Sequence, residues 1–239
     1  MANTLGLDCD LDPILLIEDL EQAFGLKFSD EDVGSCGTVG DIHALLVKRM
    51  GGADRQPERC ATAMAFHRLR HAFHVMAPEV AITPTTPLYL FSRWPPKSLL
   101  KRLGLHSGLR LPRPARTKAG EKGALLILIA VLGVFASALL ENISSLAALW
   151  SFRLSVFALP VGALILKLDQ GRLPDGCETV ADVARMASAR NFGMLAREGA
   201  GWSEGSLWRA LVEIASERTG LSKSDIGPDT LLLQKALRE

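Results

Sequence analysis

The chain has little of what strands and enzymes are usually built from. Aromatic residues make up 6% of it, with one tyrosine, and no run alternates β-branched with polar residues. Strand signals are therefore poor, and the soluble parts are expected to be helical. There is no nucleophile elbow, phosphate loop, HExxH or paired-carboxylate arrangement, so the expectation is that the protein is not an enzyme. Charge of one sign is also missing. The 27 basic and 26 acidic residues leave a formal net charge of +1, which argues against nucleic acid as the main partner. Cys9, Cys36, Cys60 and Cys177 form no C-x-x-C pair and no regular framework. Such scattered thiols suit a reducing cytosol. The N-terminus lacks a basic region followed by an apolar core, so no cleaved signal peptide is expected.

What is present in quantity is apolar sequence in two blocks. Residues 123–140 carry no charge; Glu141, Asn142, Ser144 and Ser145 interrupt, and residues 146–166 form a second run broken only by Arg153 and Pro160. Each block approaches the roughly 20 residues that a bilayer-crossing helix needs. A buried hairpin in a large soluble core is the alternative, but soluble helices keep a polar face and these runs do not. Arg93, Lys97, Lys101, Arg102, Arg110, Arg113, Arg116, Lys118 and Lys122 precede the first block, and Lys167 and Arg172 follow the second. Basic flanks remain on the cytoplasmic side, so a multi-pass inner-membrane protein with both termini cytosolic is expected. Arg153 is placed to snorkel toward the outer interface or to meet Glu141.

Outside this hairpin (residues 123–166) roughly 195 residues remain, enough for one ordinary domain or two small ones. Asp12-Pro13 reads as a helix start, with Ile14, Ile17, Leu20 and Phe24 at helical spacing and Gly25 as the stop. Glu18, Asp19 and Glu21 are expected to make its exposed face acidic. Ser29 with Asp32 can open a short second helix, and Thr38-Val39-Gly40-Asp41 is a capping box ahead of Ile42, Leu45 and Leu46. A further helix ends near Met76, with Phe66, Leu69, Phe73 and Met76 on its core side. Ile82-Thr83-Pro84-Thr85-Thr86 must be extended loop, because each proline biases its predecessor away from helix. Residues 98–103 form a short basic amphipathic segment whose Leu99, Leu100 and Leu103 are expected to dip into the membrane surface.

Beyond the hairpin the pattern recurs. Thr179-Val180-Ala181-Asp182 repeats the capping box, a helix with Leu207, Leu211 and Ile214 on its buried side ends at Gly220, and Ile226-Gly227-Pro228-Asp229-Thr230 repeats the proline loop. Cys36 and Cys177 each lie just before a box, where a small buried thiol fits. The same three features in the same order indicate an internal repeat.

These residues resemble pieces of the acyl carrier protein family, a four-helix fold that carries a phosphopantetheine arm. The join 220–230, with its Ile-Gly-Pro-Asp-Thr loop, resembles the end of the family's first helix. Residues 5–12 with the helix to Gly25 resemble its second helix, and Ser29–Asp32 and Thr38–Asp41 resemble the starts of its third and fourth. The order along the chain differs from the family's. The fold class expected is all-α: acyl-carrier-like bundles in an internal repeat, with an inserted two-helix transmembrane hairpin. Residues 1–50 (helices two to four) and 203–239 (helix one) are expected to complete one permuted bundle. Residues 58–103 and 174–191 are expected to complete a smaller second one.

The family's carrier serine follows an Asp, whereas the matching region here reads Asp8-Cys9-Asp10-Leu11. Ser98-Leu99 falls near the equivalent place in the second copy, either as an attachment site or as a helix cap. The resemblance then implies a scaffold that has lost its arm, with no cofactor expected. It would recruit a cytosolic partner, such as acyl-transfer machinery, through Glu18, Asp19 and Glu21, with anionic lipid head groups as a second contact. A functional carrier of a membrane-lipid or secondary-metabolite pathway is the alternative. A metal-responsive membrane protein is another, since Cys60, His67, His71 and His74 share a helix face and His67/His71 have a spacing that can hold a transition metal. Helix-face histidines are more commonly solvated, or here set at the lipid interface, and Arg68 and Arg70 alternate with these.

Overall fold

The structure, a computed structural model, describes residues 4–7, 12–51, 59–140 and 145–233. It is mostly helical: β1 (Thr4–Leu7), α1 (Asp12–Phe24), α2 (Asp30–Gly34), α3 (Val39–Met50), α4 (Ala61–Met76), α5 (Pro96–Ser107), α6 (Lys118–Leu140), α7 (Ser145–Leu168), α8 (Val180–Arg190), α9 (Phe192–Arg197), α10 (Glu204–Thr219) and β2 (Leu231–Leu233). The chain divides into two compact units. One comprises Met1–Leu88, Arg102–Pro112 and Cys177–Glu239, and the other Tyr89–Lys101 and Arg113–Gly176.

In the first unit residues from the N-terminal and C-terminal parts of the chain share one core. Leu16, Leu20 and Phe24 of α1 and Ile42 and Leu46 of α3 share it with Leu207, Leu211 and Ile214 of α10 and with Phe192. These positions recur at three- and four-residue intervals, so each helix turns one apolar stripe inward. Outside the helices, β1 pairs in parallel with β2, Thr4 opposite Leu231 and Leu7 opposite Leu233. The helical content agrees with the expected all-α class, and this short strand pair is a small addition to it. Two short strands are marginal alone, and here Leu5, Leu7 and Leu232 anchor them in the core. Where α9 meets the end of α1 there is room only for glycine: a Cβ on Gly193 would lie 1.8 Å from the Phe24 carbonyl oxygen.

Both capping boxes form. Thr38 Oγ1 accepts the Asp41 N–H at 3.1 Å and Thr179 Oγ1 accepts the Asp182 N–H at 3.3 Å, while each aspartate accepts its threonine's N–H at 2.9 Å. A proline loop then docks on each helix start. The Thr230 and Pro228 carbonyls accept the Val39 and Gly40 N–H groups, both at 2.9 Å; the Thr86 and Pro84 carbonyls accept those of Val180 and Ala181 at 3.0 and 2.9 Å. Inside the loops Thr230 Oγ1 accepts the Gly227 N–H and Thr86 Oγ1 accepts the Thr83 N–H, each at 2.8 Å. These contacts satisfy N–H groups that a helix start leaves without intrahelical partners.

The second unit is the hairpin and its approach. Two stretches, Lys118–Ser137 and Leu149–Leu168, are long and apolar enough to cross a membrane. Large side chains such as Leu132, Phe135, Phe152 and Phe157 point outward, while Ala130 and Ser155 are buried between the helices. Ser151 Oγ donates to the Gly133 carbonyl at 2.9 Å, the kind of small-residue contact that lets apolar helices approach closely. At the base Ala115 and Arg172 exchange two backbone hydrogen bonds, and the Asp169 carboxylate accepts the Thr117 and Gly171 N–H groups. Arg153 is exposed on α7; Glu141, its suggested partner, lies outside the described residues.

Two expectations about the approach segment are corrected. Leu99, Leu100 and Leu103 are 2%, 4% and 0% exposed, so they pack inside the protein and cannot enter lipid. An amphipathic stripe fits protein and bilayer alike, and sequence periodicity does not separate the two. Ser98 is not a cap: α5 already starts at Pro96, which puts Ser98 half-buried in the first turn.

Candidate functional site

The acidic helix α1 is the first place to look for a working surface, and its three carboxylates have different fates. Glu18 is exposed. Asp19 is 9% exposed and forms an ion pair with Arg218 of α10, whose guanidinium also donates to the Leu15 carbonyl at 3.0 Å. Glu21 turns back over the end of its own helix, accepting the Phe28 N–H at 2.9 Å and pairing with Lys27. Burial alone raises the Glu21 carboxyl, but the hydrogen bonds from Lys27 and Phe28 and the Lys27 charge outweigh it and hold it below its ordinary value. The expectation that all three make an exposed acidic face is therefore corrected: Asp19 and Glu21 hold the helix in place, and Glu18 projects outward. Asp8, Cys9, Asp10 and Leu11, the stretch matched to the carrier serine, lie outside the described residues.

The metal candidates do not converge. His67, His71 and His74 lie exposed along α4 around a surface recess of about 570 Å³ that also includes Arg70 and Glu79. Cys60 stands at the start of α4 and faces a different cavity. Among the described residues no group of three or more His, Cys, Asp or Glu side chains is placed to hold a metal ion.

That other cavity has a volume of about 930 Å³. The starts of α4 and α10 meet there, with the Gly201 N–H donating to the Arg59 carbonyl at 3.0 Å. Phe192 and Trp202 line its apolar part. Its charges are mostly spent on each other: Glu213, 8% exposed, pairs with Lys223 at 2.7 Å, and Arg185 pairs with Asp182 at 3.2 Å. Among the described lining residues Arg209 is the remaining base, and none is a histidine that could act as a base beside the Cys60 thiol.

Two further residues escaped the sequence reading. Asn191, 4% exposed, accepts the Arg110 N–H at 3.0 Å and donates to the Arg110 and Ala187 carbonyls at 2.8 and 2.7 Å, pinning the 108–112 segment. Arg218 is the basic residue in the last turn of α10. Both act across more than 80 residues of sequence, where local pattern carries no signal.

Over 51 residues the chain is 39% identical to the acyl carrier protein of Thermotoga maritima; the match spans 21% of this chain and 62% of that protein. The chain thus covers less than two-thirds of that relative's length. No family model and no solved structure matches the chain.

Proposed function

We propose that the chain is a membrane-anchored scaffold made of two acyl-carrier-like bundles without a prosthetic arm. The observation that carries this reading is the pair of loop-to-helix joins, Thr230 and Pro228 on Val39 and Gly40, Thr86 and Pro84 on Val180 and Ala181, with matching hydrogen bonds. Under this reading α10, its proline loop, α1, α2 and α3 make one bundle, whose first helix comes from the far end of the sequence. The helices α4, α5 and α8 make the other, and the hairpin occupies the stretch of sequence where the first copy has α2. The 51-residue likeness to a carrier protein supports the fold assignment.

The hairpin crosses the cytoplasmic membrane twice and leaves both termini in the cytosol, where the basic residues flanking it meet anionic head groups. The bundles work as an adaptor that holds a cytosolic protein of acyl-transfer chemistry, and they are not themselves an enzyme. Because Asp19 and Glu21 are engaged within the fold, Glu18 is the member of the acidic trio left to meet a partner. Intact mass after co-expression with a phosphopantetheinyl transferase tests the absence of an arm, and the expected product is the unmodified chain. A phosphopantetheine increment contradicts the proposal and favours a working carrier, with Ser98 the first residue to map.

A further inference from the structure

The short 3-10 turn Leu88–Phe91 presents its side chains in opposite ways. Leu88 and Phe91 are 2% and 1% exposed, whereas the adjacent Tyr89 and Leu90 are 71% and 49% exposed. Two residues on, the Arg93 guanidinium lies 3.8 Å over the Trp94 ring, which itself stacks on Phe91 at 6.5 Å. The stretch Tyr89–Lys101 belongs to the same compact unit as the hairpin. The Lys97 N–H donates to the Gln170 carbonyl at 3.1 Å, just past the end of α7, which puts Trp94 within about 10 Å of the hairpin's base at three residues' reach. Leu99 and Leu100 of α5 are buried, so they do not supply this stretch with a lipid contact.

We infer that residues 89–94 form an interfacial knuckle that seats Tyr89, Leu90 and Trp94 in the head-group layer of an anionic bilayer. Amphipathic rings are favoured at that depth, and an exposed tyrosine beside an exposed leucine is poorly served by water. Arg93, Lys97 and Lys101 add positive charge along the same stretch and are drawn to anionic lipid. The cation–π contact keeps the Arg93 charge next to the ring while its head remains at the phosphate level. The knuckle fixes how deeply the hairpin sits and holds the approach segment against the membrane surface. The inference rests on the hairpin crossing the bilayer.

The test is tryptophan quenching of the full chain in phosphatidylglycerol-containing vesicles, with bromine placed either near the head group or deep in the acyl chain. Trp150 on α7 reports hairpin insertion, and Trp94 reports the knuckle. Shallow bromine is expected to quench the wild type more than Trp94→Phe, and deep bromine to quench it more than Trp150→Phe. Replacing anionic by neutral lipid should weaken the shallow quenching about two-fold. The double variant Tyr89→Asp/Leu90→Asp, which retains Trp94, should fall to the Trp94→Phe level with an unchanged helical circular dichroism. Unaltered shallow quenching in both variants, while the Trp150 signal persists, overturns the knuckle and leaves the hairpin standing. Loss of the Trp150 signal itself overturns the membrane reading, and the knuckle with it.

Discussion

Asp19 on α1 and Arg218 on α10 form an ion pair across 199 residues of sequence, largely shielded from water. The pair joins the first long helix of the chain to the last. Removing one partner leaves a buried charge without its counterion, which costs about 3 kcal/mol. Asp19→Ala and Arg218→Ala are each expected to lower the thermal unfolding midpoint of the detergent-solubilised protein markedly. Glu18→Lys, one residue away but exposed, should leave it unchanged. Equal effects at positions 18 and 19 would remove the pair from the account.

The capping boxes give a second prediction, including its pH dependence. Thr38→Ala and Thr179→Ala should each cost about 1 kcal/mol. The Thr38 hydroxyl and N–H, with the Gly37 N–H, hold the Asp41 carboxyl below its ordinary value. Burial pushes Asp182 up, but the Thr179 hydroxyl and N–H, the Glu178 N–H and the nearby Arg185 charge prevail, and it too is lowered. In acid the unfolded chain therefore binds more protons than the folded one. This stability is complete above the unfolded aspartate value of about 4 and fades as pH falls through the folded values. A double Thr38→Ala/Thr179→Ala variant should show a flatter decline of melting temperature below pH about 4 than the wild type.

Thiol reactivity should follow burial. Cys60 is exposed, Cys36 is half-buried, and Cys177 is buried with its thiol pushed up to about 12, by burial first and by the charges of Asp182, Glu217 and Glu213 after it. The thiolate is the reactive form, and at neutral pH it is nearly absent at Cys177. In a Cys9→Ser background a maleimide should label Cys60 first, Cys36 slowly and Cys177 only after denaturation. Rapid labelling of Cys177 in the folded protein would contradict its burial ahead of α8.

Much of this architecture is legible in the sequence. A charge-free run locates α6 and a run with Arg153 as its one internal charge locates α7, and Thr-Val-x-Asp locates both helix starts because capping is a four-residue interaction. What stays hidden depends on the third dimension. Asp19 reads as surface acid until Arg218 arrives from the far end of the chain. Leu99, Leu100 and Leu103 read as membrane-facing because periodicity reports a buried stripe without saying what buries it. Leu231–Leu233 is three residues long, too short for an alternation to register, and its partner Thr4–Leu7 lies at the other terminus. Cys60 and the histidines share one helix, yet open onto different recesses.

Close packing at α9 gives a contrast between two glycines. A Cβ at Gly193 would collide with the backbone oxygen of Phe24, which cannot move aside, whereas one at Gly34 meets nothing within 4 Å. Gly193→Ala should cost about 3 kcal/mol or prevent folding. Gly34→Ala should be neutral or stabilise slightly, by about 0.5 kcal/mol. Circular dichroism melts of the two variants in parallel check this.

The measurement closest to the central idea places cysteines at facing positions of the terminal strands, Thr4→Cys with Leu231→Cys, in the full chain expressed in cells. On mild oxidation of the cytosolic side, a bond within a single chain is expected, seen as a faster-migrating monomer that reductant reverses. Bonds appearing only between two chains, or none while a membrane-impermeant reagent finds position 231 outside the cell, would mean that the two ends do not share one body.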